Sequence, residues 1–70
     1  MNIKVNIHWD EEAEVWVAVC DTLGIVLESG SYDALIEKIK NAVPEMIELN
    51  KIEGVETIEV LTNNRQMAYA

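Results

Sequence analysis

The sequence predicts an α+β fold of element order β-β-β-α-β: an antiparallel three-stranded meander, one helix and a fourth strand. Three observations carry this expectation. Residues 2–9, NIKVNIHW, alternate apolar and polar, the period of a half-buried strand. From Ser31 onward the hydrophobic period changes from 2 to 3.6. Glycines at 24 and 54 stand between the periodic runs, where the chain must turn.

In the first strand Ile3, Val5, Ile7 and Trp9 share one face, and Asn2, Lys4, Asn6 and His8 the other. A polar hairpin loop is expected from Asp10 to Glu14, and EVWVAVC then reads as the second strand. The turn DTLG follows, with Gly24 free to take a positive φ that other residues resist. IVLES resumes as the third strand.

Within SGSYDALIEKIKNAVPEMIELNK, Leu35, Ile36, Ile39, Ala42, Val43, Met46 and Ile47 form one helical stripe, while Glu37, Lys38, Lys40, Glu45 and Glu48 face water. Ser31 is the N-cap candidate, and Asp33 places a negative charge in the first turn, where the helix dipole favours it. Pro44 lacks the N–H that would reach the carbonyl of Lys40, so a kink or break is expected there. Lys51 suits the helix C-terminus. A turn at Gly54 leads to ETIEVLT as the fourth strand, and a right-handed crossover lays the helix on one face of the sheet. Asn63 and Asn64 suggest a last turn, with RQMAYA beyond it as a short extension or loose tail.

The second strand is apolar on both sides. Because strand one fixes the covered face through Ile3, Val5 and Ile7, the expected match on strand two is Val15, Val17 and Val19, joined by Ile25 and Leu27. Trp16, Ala18, Cys20 and Val26 are then left on a face that no helix covers. Trp16, Ala18 and Val26 would form an apolar patch, the kind of surface that marks protein–protein contact. Two arrangements would remove it: RQMAYA folding over Trp16, or a register that turns Trp16 inward and the valines outward.

The chain has 70 residues, one domain's worth (residues 1–70), and a chain this size buries roughly 60% of its unfolded surface. Half the residues are hydrophobic and 26% charged, which argues against disorder. A single cysteine excludes an internal disulfide and the usual cysteine-based metal sites. With no signal-peptide pattern and no apolar run approaching ~18 residues, a cytoplasmic location and no membrane contact are expected. The net charge is −8, from 13 carboxylates against 5 Lys and Arg. Such a surface repels phosphate backbones, so direct nucleic-acid binding is not expected. It serves solubility, and it would also draw in a basic protein partner.

The segment WDEEAEVWVA, the turn from Asp21 to Gly24, the strand after it and a helix opening at Ser31 resemble the HicB-like antitoxin family over roughly residues 1–62. The WDEEAEVWVA segment is especially similar to stand-alone HicB-like proteins. The resemblance implies a partial ribonuclease H-like fold with sheet order 3-2-1-4. It also implies a protein that neutralises HicA, a small basic RNA-cleaving toxin, by covering its active surface. Many relatives carry a further DNA-binding domain, which these 70 residues are not expected to supply.

Candidate sites are few. Asp10, Glu11, Glu12 and Glu14 form the densest acidic cluster, either a solvated loop or a docking surface for a basic toxin. His8 and Asp10 share a strand face, but a lone His on a polar face is usually solvated rather than a metal ligand. Cys20 has no basic neighbour in sequence and reads as a small hydrophobe. Asp10 and Asp21 sit at strand ends, where Asp serves local turns, so the fold relation to nucleases brings no catalytic set with it. The expectation is a non-catalytic, cofactor-free protein-binding domain that forms a homodimer and whose partners include a HicA-like toxin. The alternative is a solitary homo-oligomeric module without a toxin, and behind both stands a metal-dependent nuclease relative.

Overall fold

The computed structural model describes residues 1–63; Asn64 and the RQMAYA segment lie outside the described residues. The elements are β1 (Asn2–Asp10), β2 (Val15–Cys20), β3 (Ile25–Ser29), α1 (Tyr32–Leu49) and β4 (Thr57–Asn63). They follow the expected β-β-β-α-β order. The sheet runs β3-β2-β1-β4, with β1 antiparallel to β2, β2 antiparallel to β3, and β4 parallel to β1. The helix packs against β2 and β3.

Local sequence accounts for each join. Gly24 takes φ +65° and donates its N–H to the carbonyl of Asp21 at 3.2 Å, closing the turn between β2 and β3. The Ser31 hydroxyl accepts from the Ala34 N–H at 3.3 Å, satisfying a donor that the first helical turn leaves free. At the other end Lys51 turns left-handed, with φ +53°. There the Lys51 N–H reaches the Glu48 carbonyl at 3.1 Å and the Ile52 N–H the Ile47 carbonyl at 3.0 Å. This pair of bonds is the Schellman motif, formed with lysine in the place glycine usually takes.

The helix runs unbroken through Pro44, so of the kink or break expected there the break does not occur. Val43 before the proline is fully buried, and Met46 and Ile47 after it pack against the core. Burial worth roughly 1.5–3 kcal/mol per large apolar side chain offsets the missing backbone bond.

The covered face differs from the one expected. Asp10 is the last residue of β1, paired with Val15, so the hairpin loop is 11–14 rather than Asp10 to Glu14. That one-residue change sets Ile7 opposite Ala18 and Trp9 opposite Trp16. Residues directly opposite in a ladder share a face, so Trp16, Ala18 and Cys20 lie under the helix, with Leu27 opposite Ala18 and Ile25 opposite Cys20. The core is Ile3, Val5, Ile7, Ala18, Cys20 and Leu23 against Leu35, Ile39 and Val43. Val15, Val17, Val19 and Val26 point to the outer face.

Candidate functional site

On the helix side, Trp16 stands between two aromatic rings. Its centroid is 5.3 Å from Trp9 and 5.1 Å from Tyr32, both in edge-to-face geometry. The Tyr32 hydroxyl shares a 2.6 Å hydrogen bond with Thr62 Oγ1, tying the start of the helix to β4. The indole is thus half-buried and engaged by its own chain. The expected patch of Trp16, Ala18 and Val26 is not one surface: the first two lie beneath the helix and Val26 on the opposite face.

Exposed apolar residues lie instead on the outer face. The register lays Val26, Val19, Asn6 and Leu61 in one row across the sheet, and Glu28, Val17 and His8 in the next. Val26 and Leu61 are 60% and 42% exposed, and Val15 and Val19 are partly so. Val17, in the middle, is only 7% exposed, sheltered by its neighbours on the face opposite α1. The β2–β3 half of this face is therefore apolar apart from the exposed Glu28, and the β1 side, with Lys4, Asn6 and His8, is polar.

The acidic residues adjoin the apolar half. Asp10 lies beside Val15 on the outer face, and its Oδ1 accepts the N–H groups of Glu12 (3.0 Å) and Ala13 (3.2 Å), so this carboxylate holds the turn. Glu14 adopts φ +56° to complete it. Glu11, Glu12 and Glu14 project into solvent. Of the expected acidic site, Asp10 holds the turn, while the three glutamates stand exposed.

The remaining candidates find little support. His8 is exposed beside Val17, and no group of three or more His, Cys, Asp or Glu able to hold a metal ion occurs among the described residues. Cys20 is a free thiol sealed beneath the helix. An open depression is lined by Asn6, Ile7, His8, Leu61 and Thr62, where His8 is the sole titratable group. No helix among the described residues is long and apolar enough to cross a membrane.

Sequence reasoning missed the outer valines as a surface. The signal that could have found them is the length of the hairpin loop: four residues pair odd positions of β1 with even positions of β2.

The sequence matches the family described as a domain of unknown function, DUF1902, over residues 2–69. It is also similar to a hypothetical protein of the extremely thermophilic bacterium Thermus thermophilus, known from a crystal structure. The two share 33% sequence identity over 90% of each chain, with a TM-score of 0.72. No curated protein matches.

Proposed function

The chain belongs to the DUF1902 family, and from that premise we propose that it is a non-catalytic protein-binding domain of HicB-like type. The observation that carries this reading is the apolar strip Val15, Val19 and Val26 on the helix-free face, bordered by Glu11, Glu12 and Glu14. Apolar residues beside a rim of one charge suit a partner with an apolar contact ringed by basic side chains. A small basic RNA-cleaving toxin of HicA type, the partner the resemblance implies, would supply the basic side chains, and docking here would mask its RNA-binding surface. The chain's net charge of −8 would speed the encounter at low salt.

Co-purification of the tagged chain from its own host tests this. The expected companion is a small basic protein whose RNA cleavage stops when the chain is added back. Val26→Lys should weaken the complex at least about tenfold, since it places a charge in the apolar contact. A basic toxin bound equally well by Val26→Lys would overturn the assignment of the surface.

The same apolar strip favours a second reading, a solitary module that self-associates through it. Light scattering at micromolar concentration distinguishes the two: a dimer mass lost in Val26→Lys supports self-association, and a monomer excludes it.

A further inference from the structure

The two edges of the sheet are not alike. At the β3 edge, Lys38 reaches across from the helix and its Nζ donates to the Glu28 carbonyl at 2.7 Å, laying a cation on the border of the strand. At the other edge, β4 has no strand beyond it among the described residues. We propose that β4 pairs there with β4 of a second copy, antiparallel about a two-fold axis at Val60, so that one sheet runs through both copies.

Backbone parity identifies what this edge offers. Successive strand residues direct their N–H and C=O groups to opposite sides. The Met1 carbonyl accepts from the Glu56 N–H at 3.0 Å, so Met1 turns its groups toward β4, and Ile3, Val5 and Ile7 share that parity. In a parallel ladder such bonds go to the residues flanking each partner, so Thr57, Glu59 and Leu61 face β1. Ile58, Val60 and Thr62 therefore present their N–H and C=O groups to the edge.

The side chains of β4 are those of an interior strand. The strand runs parallel to β1, and strands in parallel pairs are usually covered on both faces. Ile58 and Val60 lie on the helix side, where they remain 40% and 39% exposed because the helix sits over β2 and β3. Leu61, on the outer face, is 42% exposed. An apolar strand with unshielded backbone groups is one that proteins pair or guard, as Lys38 guards β3.

The strand is complementary to itself in one register. β4 has seven residues, Thr57–Asn63, and Val60 is the middle one. An axis there sets Val60 opposite its own counterpart, Ile58 opposite Thr62 and Glu59 opposite Leu61, so every outward backbone group of β4 finds a partner. Asn63 keeps its place beside His8. Moving the axis to Glu59 would bring two carboxylates face to face, and moving it to Leu61 would leave Ile58 with no β4 residue opposite. Charge agrees with the central register. Glu59 is the one charged residue of the strand; it faces an apolar leucine across the axis and stands beside Lys4 of its own β1. Such a closed two-fold contact is the commonest way a soluble chain assembles. It uses the border of the sheet and leaves the outer valines uncovered, so it is independent of the docking surface proposed above.

Light scattering of the full chain at micromolar concentration should give a dimer mass. Val26→Lys should leave that mass unchanged, whereas Val60→Lys should give a monomer, because it sets two ammonium groups opposite each other. A monomeric original chain would overturn the proposal. So would a dimer that survives Val60→Lys, or one that Val26→Lys dissolves, which would assign self-association to the outer valines. Cysteine cross-linking reads the register without relying on the lysine variant, with the buried Cys20 retained. Under mild oxidation, Val60→Cys should join two chains at least about tenfold faster than Ile58→Cys, although the two positions are equally exposed in a single chain. The two Cα atoms at position 60 would lie about 5.5 Å apart, within disulfide reach. Those at position 58 would be four residues apart along the ladder, about 14 Å. Equal rates would contradict the pairing.

Discussion

On the helix side of the sheet, Ile3, Val5 and Ile7 are at most 1% exposed, whereas on the outer side Val26 remains 60% exposed. Both faces are apolar along β2, so hydrophobicity alone does not decide which one the helix covers. Volume is part of the explanation. Ala18 and Cys20 are small, and they let the ridge of Leu35, Ile39 and Val43 approach the sheet closely. Trp16 fills the wider space near the start of the helix, against Trp9 and Tyr32. The valines lie on the other side, where Val26 stays exposed and Val15 and Val19 are partly so.

The contrast can be broken most severely from the helix. Leu35→Ala empties a fully buried site, and a loss of about 2–5 kcal/mol is expected in urea unfolding, enough to threaten a domain of this size. A loss under about 1 kcal/mol would mean that the helix–sheet core is looser than described. Val17→Ala probes the outer face where it is best sheltered. Removing two methyl-sized groups there should cost about 1.5 kcal/mol, well below the helix-side value. Tyr32→Phe keeps the ring and deletes only the hydroxyl bonded to Thr62, so about 1 kcal/mol or less is expected by thermal unfolding.

Much of this fold is legible in the sequence. The alternation of β1, the stripe from Leu35 to Ile47, the Ser31 cap and the turn at Gly24 appear where local chemistry put them, while at Gly54 the chain takes a positive φ but the hydrogen-bonded turn lies earlier, at Asn50 and Lys51. What escaped was the facing of β2. EVWVAVC is apolar at both parities, so nothing within the strand says which side goes in. The decision rests on whether Asp10 ends the strand or begins the loop, and a polar residue at a hairpin boundary does not reveal that by type. Its carboxylate caps the turn while its backbone still pairs with Val15, so Asp10 belongs to both. At Pro44 the local penalty is real, and tertiary burial on both sides of it keeps the helix continuous where a break was one of the two outcomes expected. In the acidic loop, composition located the glutamates, and the place of Asp10 at a strand end pointed to the turn-holding bonds it makes, alongside the docking role also expected of it.

The most direct measurement compares Trp16→Lys with Val26→Lys in side-by-side urea unfolding. Burying an ammonium between Trp9 and Tyr32 should cost about 2 kcal/mol or more, whereas a lysine on the open outer face should stay within about 0.5 kcal/mol of the original chain. Equal losses, or a larger loss for Val26→Lys, would contradict the assignment of the two faces and the docking surface built on it.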